Sequence, residues 1–332
     1  MDPLTQGIVG AAAAQTINKN KVIVIITIIG FLAGLAPDID IFFRSKDDPL
    51  LFLEYHRHFT HSIIFIPIGG FICSCIFYFT FTKHFNFSFL DTYMYSTIGY
   101  ATHGIIDSLT SYGTQLFWPF SDDRFSTNTI SIIDPLFTLP LVILVIITAI
   151  KNNRLFVFLA IAWIIIYQSL AFYQKERAEN IIKNYALTQN HNPVDVIAKP
   201  SFGNIILWKV IYLYDDKYYI NAVRSIINTR IYPGESIKKL NLSKDIEWIK
   251  KESQQYEDIQ RFRWFSNGYL ALAKSNENII YDIRFSSLPN SVEGLWGIKL
   301  DKNKNNEMHV EYITNRDNSP ERFKKLLDMI LK

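Results

Sequence analysis

The stretch IDPLFTLPLVILVIITAI-KNNR-LFVFLAIAWIIIYQSLAFY, residues Ile133–Tyr173, decides the fold class. A hydrocarbon core of about 30 Å takes about 20 apolar helical residues to cross. Two runs near that length, separated only by Lys151-Asn152-Asn153-Arg154, predict a tight hairpin of membrane helices. Further apolar runs lie upstream. Val22–Ala36 is rich in Val and Ile but short, and Ser62–Thr82 qualifies despite Pro67, Gly69 and Gly70. Leu90–Leu109 is weaker because it carries His103, Asp107 and several hydroxyls, while its Gly99, Ala101 and Gly104 suit close packing between helices. Pro3–Ile17 follows Asp2 as an N-cap with Pro3 at the first helical position, and predicts a buried or partial helix. The expectation for 1–175 is an all-α membrane bundle of about five to six helices.

Charge divides the chain near Gln174. Residues 1–174 hold nine Lys/Arg and eleven Asp/Glu, against 25 and 20 in the remainder. The first part is apolar and slightly acidic; the second has the composition of a soluble domain. Its basic excess is too small and dispersed to point to nucleic acid, so none is expected as a partner. Residues 176–200 read as a helical extension and linker, and 201–332 as a soluble α+β domain. There, Ile205–Tyr214 and Lys217–Val223 flank Asp215-Asp216 as a hairpin. Asp245–Phe262 reads as a charged helical stretch. Tyr269–Lys274, Ile279–Phe285, Trp296–Leu300 and His309–Thr314 are strand candidates, and Ser319-Pro320 opens a terminal helix. Cys73 and Cys75 sit inside an apolar run and offer neither a disulfide framework nor a metal knuckle. The N-terminus lacks the basic region of a cleavable signal peptide.

Five of the seven histidines fall in the apolar half, three of them in Tyr55-His56-Arg57-His58-Phe59-Thr60-His61-Ser62. Imidazole and carboxylate are the ligands of zinc, manganese and non-haem iron. Near a bilayer such groups are costly unless an ion or a pair holds them. Upstream, Asp38 and Asp40 follow Pro37; in an extended turn both carboxylates point the same way, though a Pro-Asp turn serves equally as a helix stop. His56 and His61 can approach one ion only if the loop turns between them. The same run fits an interfacial basic patch, and His58 is the weakest ligand candidate. His103 and Asp107 share one helix face at i and i+4, which suits either two ligands or a His–Asp hydrogen bond in a polar interior. Arg57 and Arg124 are the arginines nearest these groups, and arginine recognises phosphate in a bidentate manner. Tyr112 and Trp118 fit a headgroup belt, and Asp134 fits a helix cap.

Together Met1-Asp2-Pro3-Leu4-Thr5-Gln6-Gly7, Pro37-Asp38-Ile39-Asp40, His56-Arg57-His58-Phe59-Thr60-His61-Ser62, His103-Gly104-Ile105-Ile106-Asp107 and Tyr112-Gly113 through Asp134-Pro135 resemble the YdjM-like bacterial inner-membrane proteins, over residues 1–175. That family is described as metal-dependent hydrolases, distantly similar to zinc-dependent phospholipase C and P1-type nucleases. The resemblance implies a divalent metal, zinc or alternatively manganese. It makes Asp38, His56, His61, His103 and Asp107 the ligand candidates. It further implies hydrolysis of a phosphoester, lipid or lipid-linked, with Asp40 as base or as an orienting group and Arg57 and Arg124 on the phosphate oxygens. Gln6 departs from the family, which usually has histidine there. Either Gln6 binds through oxygen or one metal position is weakened.

The competing class is a non-catalytic membrane protein: a transporter, an assembly factor or a degenerate homologue whose polar cluster binds an ion or stabilises packing. Transport favours ionisable groups near mid-membrane; here most lie at span ends. Lys19, Lys21, Lys83, Lys151 and Arg154 occupy one set of loops without an acidic residue, against four basic residues on the His/Asp-bearing side. The positive-inside rule makes the first set cytoplasmic, with the site and the C-terminal domain together on the extracytoplasmic side of a multi-pass protein. On that reading Asn152→Cys resists an impermeant maleimide in intact cells and reacts after permeabilisation; labelling without permeabilisation reverses the orientation.

Overall fold

A computed structural model describes residues 1–18, 22–226, 228–316 and 319–332. The basic-loop residues Lys19 and Lys21 lie outside these. The chain divides into two compact units. The first comprises 1–42, 55–172 and 202–204, and the second 43–54, 173–201 and 205–332.

In the first unit, α1 (Pro3–Thr16) begins where the Asp2 carboxylate accepts from Thr5 N at 3.0 Å, with proline in its first turn. Helix α2 (Ile23–Leu35) continues into a 3-10 helical turn over Ala36–Phe42. Beyond α3 (Leu51–Tyr55) the chain makes two short 3-10 turns, Phe59–His61 and Ile63–Phe65, before α4 (Ile66–Thr80). Helix α5 (Phe89–Leu109) opens on a Ser88/Asp91 capping box. Asp134 caps α6 (Pro135–Lys151), accepting from Phe137 N at 3.3 Å and from the Tyr167 hydroxyl at 2.7 Å. Asn152, in the left-handed region, turns the chain into α7 (Arg154–Thr188).

Among the described residues three segments are long and apolar enough to cross a membrane: Ile23–Phe42, Ile63–Thr80 and Arg154–Thr188. Two expectations change. The run read as short, Val22–Ala36, gains length because the 3-10 turn prolongs it past Pro37, whereas α6 has 17 residues, about 26 Å of helix, and falls just under a span. The exposed faces are apolar. On α4, Ile68, Phe71, Ile72, Ile76 and Phe79 are each about half exposed or more, while buried Thr5, Gln6, Asp40, His61, His103 and Asp107 lie within. An apolar exterior around a polar interior is the arrangement lipid selects.

Glycine sets the spacing of α1, α2 and α5. A methyl group built on Gly30 would lie 2.6 Å from Gly10 O and 2.5 Å from the Ala14 Cβ; one on Gly99 would lie 2.7 Å from Gly30 O. Only hydrogen fits at such crossings, and the helices approach backbone to backbone. The contact brings His103 on α5 within 2.6 Å of Gly34 O on α2.

The second unit holds two four-stranded antiparallel sheets. The first has β1 (Asp195–Pro200), β2 (Leu207–Tyr214), β3 (Lys217–Arg224) and β4 (Arg230–Lys238), in that order. Strands β2 and β3 form the expected hairpin, with Asp215 and Asp216 both at positive φ. Strand β1 and the end of α7 fall in the segment read as linker. The charged helical stretch divides into α8 (Leu242–Asp245) and α9 (Gln254–Phe265), the latter capped by Ser253. The second sheet orders β5 (Leu270–Ala273), β6 (Asn276–Asp282), β7 (Trp296–Lys299) and β8 (Glu311–Thr314). Ser319 caps α10 (Pro320–Leu331) through Arg322 N.

Gly30→Val overfills the α1/α2/α5 crossing and is expected to cost about 1–3 kcal/mol or more. Thermal unfolding of the detergent-purified protein reads this as a lowered midpoint; an unchanged midpoint would show that the crossing is not tight.

Candidate metal centre

Arg57 makes the site possible. Its φ of 66° puts a non-glycine residue in the left-handed region, and the chain reverses there between His56 and His61. The turn is secured from outside by Gln115 N donating to Arg57 O at 3.0 Å and Ile63 N donating to Leu116 O at 2.9 Å. Helix α5 runs directly beneath: a Cβ on Gly104 would sit 2.4 Å from His61 O. Neither Thr60 nor Ser62 caps α4, which begins only at Ile66 with Pro67 in its first turn; Thr60 Oγ1 donates instead to Asp40 Oδ2 at 2.9 Å.

Four donor atoms converge. Asp38 Oδ1 lies 3.5 Å from His61 Nε2 and 3.4 Å from His103 Nε2. Asp107 Oδ2 lies 3.4 and 3.7 Å from the same two nitrogens. Tetrahedral zinc with bonds of about 2.0–2.1 Å holds its ligand atoms about 3.3–3.4 Å apart. The observed spacings are close to that. His61 Nε2 and His103 Nε2 are buried without a hydrogen-bond partner, and Asp107 Oδ2 has the Arg57 guanidinium beside it, so the atoms at the focus could take a shared cation. All four residues could hold an ion, as could a second group of Asp38, Asp40 and His56 that shares Asp38; within each group the ligand atoms lie within 4.8 Å of one another.

The outer contacts fix which nitrogen faces the focus. Gly34 O can only accept, so His103 Nδ1 carries a proton and Nε2 is the nitrogen turned toward Asp38 and Asp107. Asp40 does the same for both other histidines: Oδ1 accepts from His56 Nδ1 at 2.8 Å, and Oδ2 lies 3.1 Å from His61 Nδ1. Asp40 Oδ2 also accepts from Arg57 N at 2.8 Å. Burial alone would push the His61 imidazole down, but Asp107, Asp38 and Asp40 overcome it and raise its pKa to about 10. Burial, aided by Arg57, pushes His56 down despite Asp40.

The backbone that carries Asp38 and Asp40 is a 3-10 turn rather than an extended one, yet both carboxylates can reach one ion, since with His56 they form a group whose ligand atoms lie within 4.8 Å of one another. Asp38 also reaches His61 and His103, and Asp40 reaches His56 and His61. His58 lies among aromatic rings, 5.2 Å from the Trp118 ring, and joins neither group. Both arginines have protein partners. Arg57 Nε lies 2.9 Å from Asp107 Oδ2 and Nη1 donates to Thr110 Oγ1 at 2.8 Å, while Arg124 Nη2 donates to His56 O and Gly113 O. Tyr112 lies between them, 4.8 and 5.0 Å from the two guanidinium carbons. Gln6 Nε2 donates to Asp107 Oδ1 at 2.7 Å, and the Met1 nitrogen donates to the same oxygen. Sequence reading overlooked Thr60, Thr110 and Gly34 O: the hydroxyls flank the ligands but signal nothing alone, and a backbone carbonyl has no sequence signature.

Such an apolar helical unit enclosing a His/Asp cluster defines a membrane protein with a candidate metal centre. Residues 1–178 match the family described as YdjM inner membrane protein, more than half of the chain, and the chain belongs to that family. It is similar to the uncharacterized protein YfhP of Bacillus subtilis (strain 168), 32% identical over 108 residues, which cover 32% of each chain. It is also similar to the inner membrane protein YbcI of Escherichia coli (strain K12), 26% identical over 98 residues, 29% of this chain and 54% of that one. The matches thus span about a third and about half of these relatives. No solved structure matches.

His61→Ala/His103→Ala is expected to remove nearly all metal from the detergent-purified protein by elemental analysis. Asp40→Asn, which loosens two imidazoles without removing a donor of the four-residue group, is expected to weaken zinc affinity about 10–100-fold. Equal trace metal in wild type and the double variant would show the cluster to be a polar network only.

Proposed function

We propose that the chain is a multi-pass inner-membrane metalloenzyme that hydrolyses a lipid or lipid-linked phosphoester on the extracytoplasmic side. The observation that carries this reading is the convergence of Asp38 Oδ1, His61 Nε2, His103 Nε2 and Asp107 Oδ2, the two nitrogens buried without a hydrogen-bond partner. The near-tetrahedral spacing favours zinc, with manganese as the alternative. A divalent ion bound there supplies Lewis acidity towards a phosphoryl oxygen and lowers the pKa of water.

The protein's own groups divide the remaining work. Asp40 holds the His56 and His61 imidazoles in their tautomers and is placed to take a proton through His56, whose side chain is 22% exposed. Arg57 fixes Asp107. The charges of Arg57 and Arg124, on either side of Tyr112, favour an anionic phosphoryl group through the field rather than by direct bonds, since their N–H groups serve protein acceptors. Asp38 and His56 form the accessible edge, while His61, His103 and Asp107 are sealed. Substrate therefore enters past Asp38. His61 lies two residues before the Ile63–Thr80 span, which supports a substrate drawn from the bilayer.

One observation favours a non-catalytic membrane protein, whether transporter, assembly factor or inactive homologue: Arg57, Gln6 and the Met1 nitrogen already satisfy much of Asp107. Turnover decides. Zinc- or manganese-loaded protein in detergent should hydrolyse a chromogenic phosphodiester or a phospholipid, lose activity to chelator and regain it with metal. Asp38→Asn should lower kcat at least about 100-fold. Stoichiometric metal with no turnover on any of these substrates would leave the non-catalytic reading in place.

A further inference from the structure

Residues 43–54 join the two ligand-bearing segments, 36–42 and 55–62, yet they fold as part of the C-terminal unit. Their anchor is Arg261 on α9, more than 200 positions away in sequence. Its guanidinium grips Asp48 with both terminal nitrogens, Nη1 to Oδ1 at 3.0 Å and Nη2 to Oδ2 at 2.7 Å, and Nε donates to Glu54 Oε1 at 2.5 Å. Nη1 also donates to Asp258 Oδ1 at 2.9 Å. Asp258 is fully buried and is itself held by His309 Nδ1 and by Val310 N, each at 3.0 Å from Oδ2. The Phe52 ring packs edge-on to Tyr312 at 5.0 Å. Planar bidentate geometry with three carboxylates around one arginine, part-buried, distinguishes this clamp from an ordinary surface pair.

The ends of the clamped loop are short. Two residues separate Asp40 from Phe43, and one separates Glu54 from His56. Holding residues 48 and 54 therefore restricts where the carboxylates before the loop and the imidazoles after it can stand. We propose that Arg261 is a positioning residue for the metal centre: through Asp48 and Glu54 the C-terminal unit keeps the Asp38/Asp40 and His56/His61 segments in register. This rests on reading the His/Asp cluster as a metal centre. It gives α9, which lies beyond the family match over residues 1–178, a task in the site's function.

The test uses the full chain in detergent, with zinc alone as the titrant and hydrogen exchange as a second readout. Arg261→Ala should weaken zinc affinity about 10–100-fold, as loss of an orienting contact does. It should also speed exchange across residues 55–62 while leaving the β2–β3 hairpin unchanged. Arg261→Lys keeps the charge without the fork and should fall between. Asp48→Asn/Glu54→Gln breaks the clamp from the loop side, spares the Arg261–Asp258 pair and should reproduce the alanine result, which covers any failure of Arg261→Ala to fold. Wild-type zinc affinity and unchanged exchange at 55–62 in the loop variant would overturn the proposal. Should the wild type bind no zinc, the metal reading is what fails, and exchange at 55–62 still decides whether the clamp holds that segment.

Discussion

Burying charge in an apolar bundle is the constraint from which the rest of the first unit follows. Asp107, His61 and His103 are inaccessible to water, and an unpaired buried carboxylate costs several kcal/mol. Each device described above lowers that cost. The glycine crossing lets α5 approach α2 until His103 finds Gly34 O; the left-handed Arg57 brings His61 back over α5; the Arg57 guanidinium then meets Asp107. Asp40 accepts four donors, from His56, Arg57, Thr60 and His61, and so is held from several directions. What these contacts leave without a hydrogen bond are two buried imidazole nitrogens, His61 Nε2 and His103 Nε2, which face the Asp38 and Asp107 carboxylates.

Much of this was legible in the sequence, and the failures have physical causes. Helix caps such as Asp2, Asp134 and Ser319 act within three residues and read correctly, as did the β2–β3 hairpin with its Asp215-Asp216 turn. In the first sheet the two central strands were recognised and the two edge strands were not. Central β2 is almost wholly buried and correspondingly rich in Val, Ile and Tyr; edge β4 is mostly exposed and carries Pro233 and Gly234, which argue against a strand. Within the site, the i, i+4 pair on α5 was legible because helix geometry fixes it. The 3-10 conformation of the backbone that carries Asp38 and Asp40 was not, since nothing in Pro-Asp-Ile-Asp distinguishes it from an extended turn. That choice is made by tertiary partners on α5 and in the 55–62 loop. The Arg261 clamp was illegible for the same reason.

The departure at Gln6 takes on a definite meaning in this setting. Its amide nitrogen donates to Asp107 Oδ1, on the oxygen away from the focus, because Oδ2 is the atom near His61 and His103. The contact leaves Asp107 to face the focus through its other oxygen. The four-residue group that could hold an ion does not include position 6, and Gln6 touches it through Asp107.

The 3-10 turn at Ala36–Phe42 also settles what surrounds the entrance. Its inward side chains are Asp38 and Asp40, while Ile39, Ile41 and Phe42 are exposed to 62%, 40% and 79%. A turn that presents large apolar groups outward while holding carboxylates inward suits an apolar surrounding better than water. The one carboxylate of the group with an accessible edge, Asp38, thus opens beside an apolar rim.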